Sequence, residues 1–197
     1  MPLVVDKNAI RLEIMKAFAH LSDERPLTAI SLREIAAEAG MSHTKVLRYF
    51  ESKTKLHVAT VHWASSFIYE SIASWFDSHS LADYPGKTEY LDAFFAHFQT
   101  EKQDGVNPRD VVMTCALGSY SPEIKAAVKE EFDRIGELFG KCLGRELGRA
   151  LTENEISAVS VSFFGIYFAR FNESLPDGAV CRPLSGFESL SKSPALY

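Results

Sequence analysis

Apolar residues return every three or four positions along almost all of this 197-residue chain, and nowhere do Val, Ile and Thr alternate with polar residues as a half-buried strand requires. That regularity predicts an all-α fold, and cap signals divide it into helices. Asp6 is placed to cap a helix that carries Ile10, Ile14, Ala17, Phe18 and Leu21 on one face and ends before Pro26. Ser31-Leu-Arg-Glu34 is a capping box flanked by the staple pair Ile30 and Ile35, and Gly40 stops the helix it opens. Ser42 caps a third helix from about His43 to Tyr49, with Met41 and Val46 as its staple. So short a helix cannot persist alone in water. A long helix is expected from Ser52 to about Phe76, and another from Thr88 to about Thr100 after the break at Tyr84-Pro-Gly86. Asn107-Pro108 opens a helix that Gly118 ends, Ser121-Pro122-Glu123 launches a long one, and the box Thr152-Glu-Asn-Glu155 begins the last, to about Phe171. From about 174 onward, Pro176, Gly178, Pro183, Gly186 and Pro194 predict an irregular tail.

Composition narrows the function classes. The length suits one large domain or a small one joined to a larger, with enough chain to bury a core. Cysteines at 115, 142 and 181 are too scattered for a disulfide framework or a zinc site, which points to a reducing cytosol. The amino terminus lacks the basic and apolar segments of an export signal, and no apolar run is long enough to span a bilayer, so a cytoplasmic protein is expected. No Gly-rich phosphate loop, His-Glu-x-x-His, Cys-x-x-Cys or nucleophile elbow occurs, so neither an enzyme nor a cofactor or metal is indicated. A net charge of −5 argues against a protein that coats nucleic acid by bulk positive charge. The charge is uneven, however: residues 1–60 sum to +2 and residues 61–197 to −7. A basic head on an acidic body suits a module that meets an anion with one end only.

Two short capped helices around a glycine turn form a helix-turn-helix signature, in which the second helix enters the major groove amino terminus first. His43, Thr44 and Lys45 then point towards base edges, Arg48 and Tyr49 lie near the groove edge, and Val46, Leu47 and Phe50 face the core or backbone. Arg33 is open to two readings, backbone contact or plain surface residue, and His43 to two others, a base or phosphate contact or simple solvent exposure. The string Ser31 to Leu56, SLREIAAEAGMSHTKVLRYFESKTKL, resembles the DNA-binding signature of TetR-family transcriptional regulators. The resemblance implies phosphate contacts from Ser42, Tyr49 and Lys53 and base-facing roles for Thr44 and Lys45. It departs at Leu47, where the family usually has tyrosine, which removes a common phosphate contact. Lys53 gains independent support, since it opens a helix capped by Ser52 and a helix amino terminus attracts anions.

By the same resemblance, residues 1–52 form the DNA-binding domain and 53–197 a helical domain that binds an effector and pairs two chains around double-stranded DNA. Repression, relieved by a small effector, is likewise implied. The last helix is apolar nearly all round, through Val159, Phe163 and Tyr167 among others, so its outer side calls for a second copy or for a central place in a monomer. Gly136, Gly140, Gly144 and Gly148 recur four apart, either as a close-packing seam, assigned to a dimer interface, or as a weakened stretch of helix. Candidate effector contacts are Trp63, Phe67, Phe94, Phe98, Met113, Cys115, Tyr120 and Phe139, an apolar set that suits an apolar or aromatic ligand. His62, His97 and Arg109 are weaker polar candidates. The rival reading is a helical adaptor whose head no longer binds DNA.

Overall fold

The computed structural model describes residues 6–100 and 107–171; the expected tail from about 174 lies outside them. Among the described residues there are eight α-helices and no strand. They are α1 (Lys7–Glu24), α2 (Leu32–Glu38), α3 (His43–Phe50), α4 (Lys53–Ser78), α5 (Lys87–Thr100), α6 (Pro108–Leu117), α7 (Pro122–Leu147) and α8 (Glu153–Phe171). Single turns of 3-10 helix at Leu27–Ala29 and Leu81–Asp83, which periodicity does not reveal, shape the chain after α1 and α4. The caps act as read from the chain: Asp6 accepts from the amides of Asn8 and Ala9, Asn107 from Arg109, and Ser121 from Ile124.

The helices form two compact units. The first comprises residues up to Ala64 together with Met113–Val128. Its core is Ile14, Phe18, Leu21, Leu27, Ile30, Ile35, Val46, Phe50 and Leu56, which joins the expected face of α1 to both staple pairs. Two polar side chains are buried there as well. His57 of α4 meets Thr114 of α6 at 3.0 Å and sets its ring edge-on to Phe18. Burial, aided by the charge of Lys53 one turn earlier, lowers the His57 pKa to about 4, so the imidazole is neutral.

The second unit comprises, among the described residues, those of Ser65–Val112 and 129–171. Trp75, Phe76, Tyr90, Phe94, Phe98, Phe139 and Phe163 form its centre, with ring centroids as close as 4.8 Å between Phe94 and Phe98. At the α7–α8 corner, Arg149 donates twice to Glu155, at 2.6 and 2.9 Å, while Glu155 also accepts from the Thr152 amide to close the expected capping box. The Arg149 pairing, with the cap, lowers the Glu155 pKa to about 2.

The residues assigned to a dimer interface have partners within the chain. Val159, Phe163 and Tyr167 are buried in their own chain's core, Gly136 and Gly140 face their own α8, and Gly144 faces the turn between α7 and α8. A methyl group added at Gly140 would lie 3.0 Å from Ile156 Cδ1, at Gly136 3.3 Å from Ile156 Cγ2, and at Gly144 3.1 Å from the Arg149 carbonyl. Gly148 is not part of the seam: with φ +66° it ends α7. The all-round greasiness of α8 has a simple cause: one side packs on its own unit, and the other leaves Val161 64% and Phe168 60% exposed, with Gly165 between them.

The seam makes a prediction. Gly140→Val should destabilise the protein by about 2 kcal/mol through overpacking against Ile156. Pairing it with Ile156→Ala should recover part of that loss in thermal melts, whereas a glycine stretch that merely frayed would show no such recovery.

Candidate nucleic-acid interface

The interface is built from α2 upward. The Ser31 hydroxyl accepts from the Glu34 amide at 3.3 Å, and the Glu34 carboxylate accepts from the Ser31 amide at 2.7 Å. Arg25 donates to the same carboxylate at 2.6 Å. The Ser31 amide above all, then its hydroxyl and Arg25, lower the Glu34 pKa to about 2. The helix then closes in a Schellman arrangement: the Met41 amide reaches the Ala36 carbonyl at 2.8 Å and the Gly40 amide reaches Ala37 at 3.1 Å. Gly40 adopts φ +62°, a conformation that costs a residue with a Cβ but not glycine.

The turn delivers the chain to Ser42, whose hydroxyl accepts from the Lys45 amide at 3.2 Å and starts α3. Its oxygen caps the helix, while its proton is left to donate. Val46 and Phe50, one turn apart, are buried, and that pins which face turns outward. Thr44, Lys45 and Arg48 are exposed; His43, Leu47 and Tyr49 are half-exposed. Arg33 is exposed on α2, the preceding helix. The result is a short cationic helix face with its amino terminus free of acidic residues in the first turn.

Lys53 also has partners within the fold. Its ammonium donates to the carbonyls of Leu27, at 2.6 Å, and Thr28, at 3.2 Å, tying the start of α4 to the 3-10 turn, and partial burial lowers its pKa. Two of its three protons therefore serve the fold, leaving one for a phosphate. The link between α3 and α4 is strained at Glu51, a non-glycine residue at φ +50°. Glu51 also pairs with Lys55. Sequence reasoning passed over Arg11, whose guanidinium donates to the Tyr49 carbonyl at 2.6 Å and lies 4.2 Å over the Phe50 ring. A signal was present: Arg11 sits in the stripe of Ile14 and Phe18, where an apolar residue would be expected.

The candidate effector residues do not gather in one unit. Trp63, Met113, Cys115 and Tyr120 belong to the first, Phe67, Phe94, Phe98 and Phe139 to the second. Phe94, Phe98 and Phe139 are close-packed core; Trp63, Phe67 and Met113 are half-buried. Cys115 is exposed and Tyr120 is 89% exposed on the turn after α6, where neither can wall an enclosed pocket of its unit.

Residues 14–60 match the family model described as bacterial regulatory proteins, tetR family. The match covers the second half of α1, the whole helix-turn-helix and the start of α4. A crystal structure from Mesorhizobium loti, described as a candidate TetR-family transcriptional regulator, superposes with a TM-score of 0.65 at 20% identity, over 93% of this chain and 91% of that one. At that identity the likeness speaks for the fold. No curated protein sequence matches the chain significantly.

Two outcomes follow for the head. Glu51→Gly should stabilise by about 1 kcal/mol by relieving the positive φ, against a few tenths lost with the exposed Lys55 pair, and should raise the melting temperature. In acid, neutral buried His57 costs stability as pH falls below 6.5, where the unfolded chain takes up the proton, towards about 4; Glu34 loses its contribution below 4.5 towards about 2. His57→Gln should remove the upper step of the acid-stability curve, and Glu34→Gln should shrink the lower one, which Glu155 shares.

Proposed function

From the premise that the chain is a DNA-binding transcriptional regulator with a TetR-family head, we propose that it acts as a repressor: two copies occupy a near-palindromic operator, and a small, largely apolar effector releases them. The observation that carries the reading is the outward face of α3. Thr44 and Lys45 stand at its amino-terminal turn, where a recognition helix meets base edges, and Arg48 and Tyr49 lie one turn further on. Ser42 and the remaining proton of Lys53 suit phosphates, which position the head, while Thr44 and Lys45 specify sequence. His43 and Arg33 are flanking contacts in the same reading. The functional division is a reading segment of residues 1–52 and an effector and pairing segment beyond it.

Pairing is assigned to the exposed apolar face of α8 rather than to the residues that α8 buries. Val161, Gly165 and Phe168 share that face, with Phe164 half-buried beside them and stacked on Phe132 at 3.7 Å. An apolar helix face of this kind is stabilised by a second copy of itself across a two-fold axis. One α3 buries little surface, and two linked heads gain from effective concentration. Two-fold symmetry sets the half-sites about 34–36 Å apart, or a longer multiple.

The effector would act by preferring a state in which the two heads no longer match the groove period. Half-buried Phe67 on α4 is its best-supported contact, and the acidic remainder of the chain suits a neutral or cationic apolar ligand over an anion. No helix among the described residues is long and apolar enough to cross a membrane, which is compatible with the cytoplasmic site a DNA-bound regulator needs.

The deciding experiment is selection of bound duplexes from a random pool. A near-palindromic site is expected, bound with an affinity that falls log-linearly with salt. Failure to bind any duplex at low salt without effector would sink the reading in favour of an adaptor. Lys45→Ala should change which sequences are selected. Val161→Asp should convert a dimer to a monomer in sedimentation with its helical circular dichroism intact.

A further inference from the structure

We infer that Arg11 is a positioning residue for DNA recognition: from α1 it holds the carboxy-terminal turn of α3, and so Arg48 and Tyr49, in the register that meets the groove. The inference rests on the reading that α3 meets DNA. A helix leaves its last four carbonyls without helical partners, and an eight-residue helix has little else to hold them. Two of these carbonyls are served locally, Leu47 by the Glu51 amide at 2.8 Å and Phe50 by the Ser52 amide. The Tyr49 carbonyl is served from another helix, by Arg11.

Three features make this more than a surface contact. The bond is short, 2.6 Å, and charge-assisted. A cation at a helix carboxy terminus also complements the helix dipole. Finally, the guanidinium plane is fixed over Phe50, itself buried, so Arg11 grips the backbone and the core anchor of the same turn. Glu51 follows at φ +50°, a strained link whose conformation must be held from outside the helix. Arg48 and Tyr49 lie directly before this grip, and their side chains follow the backbone it holds.

The test compares the full-length wild type, Arg11→Ala and Arg11→Lys on one selected duplex, at a temperature where each is folded by circular dichroism. Arg11→Ala should bind roughly tenfold more weakly, the cost of one charge-assisted hydrogen bond, with an unchanged salt slope. Amide exchange of Tyr49, Phe50 and Glu51 should quicken while that of α2 stays as in the wild type. Arg11→Lys, which keeps a donor but not the plane over Phe50, should fall between the two.

Wild-type affinity in folded Arg11→Ala would overturn the inference, as would a salt slope shortened by about one contact, the mark of Arg11 on a phosphate itself. Weaker binding without faster exchange would overturn it too. If Arg11→Ala does not fold, Arg11→Lys decides alone: intermediate binding with faster exchange supports the inference, and wild-type behaviour overturns it. A wild type that binds no duplex instead overturns the reading of α3.

Discussion

The burial of Val46 and Phe50 is the interaction on which the head depends. A helix of two turns has no stability of its own, so the core of α1, α2 and α4 must supply it. Once those two side chains are seated, the opposite face, with Thr44, Lys45 and Arg48, has nowhere to point but outward. Everything nearby serves that seating. Glu34 and Arg25 fix the start of α2, Gly40 turns the chain, Ser42 caps α3, and Arg11 and Lys53 tie down its far end and the next helix. A reading surface of a few side chains thus draws on charge-assisted bonds from three other elements.

The second unit solves a different problem. Its aromatic residues fill the interior so completely that most rings of α4, α5, α7 and α8 touch several others. The glycine seam lets α8 approach α7 closely, and the loss of helix propensity at each glycine is offset by contact with Ile156 and its neighbours. α8 is apolar on both sides: one side packs into its own unit, and the other leaves Val161 and Phe168 exposed. The charge is divided along the chain as well, +2 over residues 1–60 and −7 over the remainder, so the basic excess lies in the segment that carries α3.

Much of this was legible from residues alone because it is local. Caps at Asp6, Ser31, Ser42, Asn107, Ser121 and Thr152 marked helix starts to within a residue or two, and Gly40 and Gly118 marked ends. These signals work through hydrogen bonds two to four residues apart, so a linear reading captures them. The outward face of α3 was legible for the same reason: Val46 and Phe50 are one turn apart, and the rest follows from helical geometry.

What the chain could not disclose depends on contacts between distant positions. That Gly140 faces Ile156, that Val159 and Phe163 are spent inside the chain while Val161 and Phe168 are not, and that Tyr120 is exposed are facts of packing. Periodicity marks α8 as apolar on every side but cannot say which side its own chain covers first. Lys53 and Arg11 have fold contacts of the same kind: a lysine that motif places on a phosphate and an arginine that no motif mentions both donate to carbonyls far along the chain. The helices, their ends and the outward face of α3 are written into the order of residues, because hydrogen bonds and side-chain period within a helix are local. Only the tertiary structure decided which apolar surfaces are used up within the chain and which cations hold the fold, because burial and long-range carbonyl partners arise when separate helices meet.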